Sequence, residues 1–277
     1  MLEIKNLCKS YGKKEVIKNI SLKVEKGETV SLLGSNGCGK STTFKMLACI
    51  TACDHGQILF NGEEIDYRLV AYLPEQRSLF TDCTVYEQLK LIADLNRLDN
   101  AESKINRQMD YFKIREYHDH KIGILSKGNQ QKVALAACLL KESELILLDE
   151  PFTGLDSSNV DIFMRAIKAL KYHKKTVLLS SHLYQPVNSL CDRYLYLVNG
   201  KIKYDITKKE LFADSRRVLE VEESVCLNGV GILTNYVIGN RKRYIVDSEL
   251  SAILLISKLD CEYTYRKLIF EDMLYLN

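Results

Sequence analysis

The segment Gly34-Ser35-Asn36-Gly37-Cys38-Gly39-Lys40-Ser41 has the residue types needed to cradle a phosphate chain. It fits the pattern G-x-x-x-x-G-K-[ST], in which glycines let successive backbone N–H groups turn toward an anion without Cβ clashes. That spacing lets Lys40 reach β- and γ-phosphates and sets the Ser41 hydroxyl, followed by Thr42, against Mg²⁺. Further along, Asp149 and Glu150 end the apolar run Leu145-Ile146-Leu147-Leu148. An acid at such a strand end holds Mg²⁺, usually through water, and Asp149 fits that role. Glu150 turns elsewhere as the strand ends and is placed to accept a proton from an attacking water. The chemistry these groups can do is hydrolysis of a nucleoside triphosphate.

Such groups need elements to hold them. Thr29-Val30-Ser31-Leu32-Leu33 reads as a strand before the glycine loop, and Thr42-Thr43-Phe44-Lys45-Met46-Leu47 as the start of a helix after it. The helix N-terminus adds unpaired donors and a partial positive charge facing the phosphates. Leu2–Leu7 and Ile20–Glu25 alternate apolar and polar residues, the strand period, with a turn at Lys26-Gly27-Glu28. Gly56–Gly62 reads as a strand closing on an Asn-Gly turn, and Leu69–Pro74 as a strand stopped by proline. The continuous apolar runs Leu145–Leu148 and Thr176–Ser180 suit strands buried on both faces. Between residues 84 and about 125 the pattern becomes helical. Thr84 and Glu87 are spaced for a capping box, and Leu89, Ile92, Ala93, Leu95 and Leu98 recur at helical intervals. Ile105, Met109, Phe112 and Ile114 continue that period in a second segment. From about residue 206 a small α+β appendage is expected, with a hairpin over Tyr236–Val246 and a short helix on Leu250, Ile253, Leu254 and Ile256.

Thirty-nine basic against 36 acidic residues leave a net charge of +3, too balanced to argue for nucleic acid or an anionic membrane surface. No apolar run approaches the roughly 18–20 residues that cross a bilayer. Met1-Leu2-Glu3-Ile4-Lys5 carries no secretory pattern, so any membrane role must come through a separate partner. Nine cysteines occur without a C-x-x-C pair, and Cys49 and Cys53 have no cluster to complete a metal site, which reads as reduced thiols in a cytosolic protein. Cys38, inside the glycine loop, is an expected point at which oxidation blocks nucleotide binding.

Leu125-Ser126-Lys127-Gly128-Asn129-Gln130-Gln131-Lys132 resembles the signature of the ATP-binding cassette (ABC) ATPases, commonly LSGGQ followed by Gln-Gln-Arg. Tyr11 sits where that family stacks an aromatic ring on adenine. Asp156, in Thr153-Gly154-Leu155-Asp156, matches its D-loop, and His182, in Ser180-Ser181-His182, its switch histidine. The resemblance runs from about residue 2 to 205. It implies a P-loop NTPase of α/β class: an ABC-type nucleotide-binding domain over 1–205 with an antiparallel β subdomain and a helical subdomain at about 84–125, then an accessory region, 206–277. It also implies a head-to-tail dimer, of two copies or of two related subunits. ATP and Mg²⁺ on the Lys40 loop of one subunit are covered by Ser126 and Gly128 of the other. His182 then contacts the γ-phosphate, and Asp156 helps to link the two sites.

Two departures stand out. Glu75, beside Gln76, occupies the place of the usual Mg²⁺-touching Gln, where a carboxylate can still ligate a hard cation; Lys127 and Asn129 replace a Gly and a Gln of the signature. These variants, with the tail Leu268–Leu274, resemble ABC-2 type exporter ATPases. The resemblance thus implies an ATP-hydrolysing subunit, peripheral on the cytoplasmic face of the cell membrane. Such a subunit drives a separate transmembrane permease seated on the helical insertion, with no nucleic acid partner. The alternative is a soluble ABC ATPase acting on nucleic acid or ribosomes. The sequence has neither the long coiled-coil insertion nor the second cassette of such proteins.

Overall fold

The computed structural model describes residues 1–277 other than 77–78, 182–183, 214–215, 228–230, 248–251, 253–254, 257–258, 260–261, 270–271 and 273–277. The chain falls into two compact units, Met1–Asp205 and Ile206–Asn277.

The first unit opens with strands β1 (Leu2–Tyr11) and β2 (Lys14–Val24), then β3 (Thr29–Leu33) and helix α1 (Lys40–Leu47). β4 (His55–Phe60) and β5 (Glu63–Glu64) then form a hairpin, with Asn61 and Gly62 both at positive φ, 55° and 88°. Two such residues match the right-handed twist of the strands, which is why Asn-Gly marks the turn. An antiparallel sheet in the order β2-β1-β4-β5 results, with Leu2 opposite Val24 on one side and Phe60 on the other. Leu2, Ile4, Leu22 and Val24 are buried, the inward half of the alternation.

A second sheet is built from β3, β6 (Val70–Leu73), β7 (Leu145–Leu148), β8 (Thr176–Ser180), β9 (Arg193–Val198) and β10 (Lys201–Thr207), in the order β10-β9-β3-β8-β7-β6. The pairs β9/β3, β3/β8, β8/β7 and β7/β6 are parallel. All residues of β7 and β8 are buried, in keeping with the apolar runs Leu145–Leu148 and Val177–Leu179. Parallel strands end on one edge. The loops after β3, β6, β7 and β8 therefore leave the sheet side by side, the usual ligand edge of an open α/β sheet.

The helical insertion comprises α2 (Val85–Leu95) and α3 (Ala101–Tyr111), and leads into α4 (Lys127–Leu140). The capping box forms: the Glu87 N–H donates to Thr84 Oγ1 at 3.1 Å and the Thr84 N–H to Glu87 Oε2 at 2.8 Å. Leu89, Ala93, Ile105 and Met109 are buried, as are Phe112 and Ile114 beyond the end of α3. Leu95 departs from the helical stripe. It closes α2 with 70% of its surface exposed, in the last turn of the helix. Helices α5 (Ser157–Tyr172) and α6 (Tyr184–Leu190) complete the unit. Among the described residues, no helix is long and apolar enough to cross a membrane.

The second unit contains α7 (Lys208–Ala213) and the antiparallel sheet β12-β13-β11-β14, formed by β11 (Arg217–Glu222), β12 (Ile232–Ile238), β13 (Arg241–Val246) and β14 (Thr264–Lys267). The hairpin β12–β13 is the one expected from the sequence. Leu219, Val221, Tyr244, Val246, Ala252 and Leu255 form its core. Leu250, Ile253 and Leu254, expected on a short helix, lie outside the described residues.

Candidate nucleotide site

A cavity of about 190 Å³ opens at the sheet edge. It is lined by Asn36, Gly37, Gly39, Lys40, Ser41 and Thr42, by the three carboxylic acids Glu75, Asp149 and Glu150, and by Val16. Residues from three separate segments, chosen from sequence for one chemistry, line the same cavity. A larger cavity of about 360 Å³ between α3, α4 and α5 has neither a glycine loop nor an acid pair.

Sterics fix the glycine loop. At Gly34, φ 151°, a Cβ would stand 2.4 Å from the Leu197 carbonyl oxygen. At Gly39, φ 117° and N-cap of α1, it would stand 2.5 Å from Ile17 Cδ1. No side chain fits either place, and only glycine adopts such angles at low cost. Lys40, 7% exposed, donates from Nζ to the carbonyls of Gly34 at 2.8 Å and Ser35 at 3.3 Å, which hold its charge over the loop.

The acid pair is set by β7 and its neighbours. The Asp149 N–H donates to the Leu73 carbonyl at 2.8 Å, extending the β6/β7 ladder past the strand end. Glu150 then takes φ 50°, an uncommon left-handed conformation for a residue with a side chain. Ser180, at the end of β8, stabilises this turn: its Oγ donates to Asp149 Oδ1 at 2.6 Å and accepts from the Glu150 N–H at 2.8 Å. The second carboxylate oxygen, Asp149 Oδ2, is buried without a hydrogen bond. A buried orphan carboxylate oxygen in a cavity that also holds the Ser41 hydroxyl and Glu75 is the oxygen set a hard divalent cation takes. These residues fit Mg²⁺.

Ser180, Val16 and Tyr72 carry roles that the sequence did not assign. Ser180 was visible only as the end of the Thr176–Ser180 strand and the start of the Ser-Ser-His segment. Tyr72, on β6, has its phenol pushed well above its usual range by burial and by the negative charge of Asp149. Replacing Ser180 with Ala leaves the Glu150 N–H and Asp149 Oδ1 unpaired in the core. The expected cost is about 1–3 kcal/mol of stability, read by urea denaturation, together with slower ATP turnover.

The other site candidates lie apart from the cavity. Ser126 is the N-cap of α4, accepting from the Asn129 N–H at 3.3 Å, and Gly128 comes next in the first turn. Asp156 caps α5, and its carboxylate is held below the usual range by the Asn159 N–H and the Ser158 hydroxyl. Tyr11 ends β1 half exposed, with the Lys9 ammonium 5.6 Å from its ring centre. None of these four lines the cavity. Gln76, beside Glu75, does not line it either. His182 lies outside the described residues.

Cys38 corrects an expectation. It is 6% exposed, and burial pushes its thiol above the ordinary range despite the nearby Lys40 charge. A buried neutral thiol is a poor oxidation target. Under limiting alkylation of the native protein, exposed Cys226 should react well before Cys38, as peptide mapping would read.

The sequence profile of the family described as "ABC transporter" matches residues 17–153. An uncharacterized ABC transporter ATP-binding protein of Methanocaldococcus jannaschii is 40% identical over 204 residues, 72% of this chain and 75% of that protein. The lipopolysaccharide export system ATP-binding protein LptB of Escherichia coli is 32% identical over 224 residues, 77% of this chain and 93% of LptB. A solved ATP-binding cassette, in a dimeric post-hydrolysis state bound to ADP and Pi, superposes with a TM-score of 0.70 at 25% identity, covering 75% of this chain and 99% of that one. With a glycine cradle, a buried lysine and an acid pair converging on one cavity, this chain belongs to the ABC transporter ATP-binding family and is an ATPase.

Proposed function

We propose that this protein is the energising subunit of an ABC exporter, closing as a dimer of two copies on Mg²⁺-bound ATP and driving a separate membrane permease from the cytoplasmic face. The observation that carries the reading is the division of labour within one chain. The cradle and acids line the cavity, whereas the capped tip of α4 at Ser126 and Gly128, an anion-seeking helix N-terminus, does not. A second copy, placed head to tail, brings that tip to the first copy's γ-phosphate. The dimeric cassette bound to ADP and Pi supports the arrangement.

In the closed site Lys40 and the loop N–H groups hold the β- and γ-phosphates, and Tyr11 stacks on adenine. Asp149, Ser41 and Glu75 would hold Mg²⁺, whose charge offsets the negative charge spread over the transferred phosphoryl oxygens. Glu150 orients the attacking water and accepts its proton, and His182 contacts the γ-phosphate. Asp156 links the two composite sites. Stabilisation comes mostly from positioning and fixed charge rather than from covalent chemistry.

The permease surface is proposed on the helical insertion. Leu91, Leu95 and Ile124 are exposed there and Phe80 just before it, and the Gly123 N–H bonded to the Thr81 carbonyl at 2.9 Å brings the Phe80 and Ile124 segments together. Export is supported by the relation to LptB and by the Leu-Pro-Glu and Leu-Ser-Lys-Gly variants. Neither the charge balance nor these relatives support a nucleic acid partner. A tagged pull-down from detergent extracts tests the proposal. A polytopic membrane protein, lost when Phe80 and Ile124 become Asp while ATPase persists, is expected; ribosomal protein or RNA instead would overturn it.

A further inference from the structure

Asn159 ties together two segments that act at different places. It lies in the first turn of α5, three residues after Asp156. Its backbone N–H donates to Asp156 Oδ1 at 2.9 Å and its side-chain Nδ2 to Asp156 Oδ2 at 3.0 Å. That amide also abuts the first turn of α4: a Cβ at Gly128 would stand 2.8 Å from Asn159 Nδ2. The end of a free side chain could swing away from such a collision. This one cannot do so without releasing Asp156, and it starts from a helix turn whose backbone is anchored on the same carboxylate. One turn along α4, Gln131 Nε2 donates to the Pro151 carbonyl at 3.2 Å, so α4 is also tied directly to the start of the 151–156 segment that comes after Glu150.

We propose that Asn159 is a positioning residue that locks the phosphate-capping tip of α4 to the Asp156 loop of the same subunit, so that the two move as one piece when the dimer closes. The inference rests on the sandwich reading above. It gives Gly128 a second reason to be glycine: besides the approach to a partner's nucleotide, the position is sterically reserved for the Asn159 amide. Asn159 does not line the nucleotide cavity, and its effect falls on closure rather than on binding to the Lys40 cradle.

A double-mutant cycle in an E150Q background tests this, with ATP-dependent dimerisation read by sedimentation equilibrium and binding of a fluorescent ATP analogue read on the same chains. N159A and G128A should each weaken the dimer about tenfold or more, the size expected for residues in contact, with analogue affinity changed less than about twofold. The double variant should lose clearly less than the sum of the two single losses, because the collision partner of the added Cβ is gone and only the approach to the partner's nucleotide is still affected. Additive losses, or an N159A chain that dimerises normally and merely melts earlier, overturn the inference while leaving the sandwich intact. If the E150Q chain itself forms no dimer with ATP, the sandwich reading fails and the Asn159 inference falls with it.

Discussion

Replacing Glu150 with Gln should cut steady-state ATP hydrolysis by roughly 10²- to 10⁴-fold, the usual contribution of a positioned general base. ATP binding should persist. The amide keeps the size and the left-handed turn at φ 50°, and the Ser180 bond to the residue 150 N–H is a backbone contact that the change does not touch. What disappears is the acceptor for the water proton. With hydrolysis blocked, the nucleotide-bound dimer should accumulate, visible as a shift from monomer to dimer in ATP. Vigorous turnover by the Gln variant would remove Glu150 from this role and leave the position a buried strand-end carboxylate. The stability cost should be small, because the residue lines the cavity and does not sit inside a packed apolar cluster.

Lys40→Ala is the second large effect, and it acts one step earlier. The ammonium is 7% exposed and fixed by two loop carbonyls, so it cannot be replaced by a neighbouring cation without rebuilding the loop. Hydrogen bonds to charged groups contribute about 1.5–3 kcal/mol each, so losing the lysine should weaken ATP binding roughly tenfold to a hundredfold or more. Isothermal titration with ATP and Mg²⁺ would read this, and turnover should vanish. Unimpaired hydrolysis would count against the whole assignment of the cavity. The two substitutions thus separate binding from chemistry: Lys40→Ala loses the ligand, whereas Glu150→Gln retains it.

Much of this was legible in the residues. The glycine loop announces itself because only glycine tolerates its angles, and a motif enforced by sterics survives as a readable spacing. The acid pair was visible because a fully apolar strand seldom ends in two carboxylates without a use for them. The capping box at Thr84 and Glu87 and the Asn61-Gly62 turn were readable for the same reason: local geometry restricts local residue choice. What the sequence hid depends on distant contacts. Ser180 is one serine among many until the parallel register of β7 and β8 sets its hydroxyl between Asp149 and Glu150. Cys38 looked reactive by its position in the loop, but its thiol turns inward, within 2.6 Å of where a Cβ on Gly34 would be. Leu95 kept the helical interval but reached the last turn, where 70% of its surface stays exposed. Asn159 carries no motif of its own and becomes informative only beside Gly128 and Asp156.

The central claim is that each ATP is held by Lys40 of one copy and by the Ser126 tip of another. Mixing two inactive chains tests it most directly. Lys40→Ala destroys the cradle, and Ser126→Arg blocks the helix tip, so either chain alone builds no intact site. In a mixed dimer one composite site carries both lesions and the other carries neither. Combining equal amounts of the two purified chains should therefore restore ATPase to about a quarter of the unmodified rate, since half of the dimers are mixed and each has one good site of two. A mixture as inactive as its separate components would contradict the shared site.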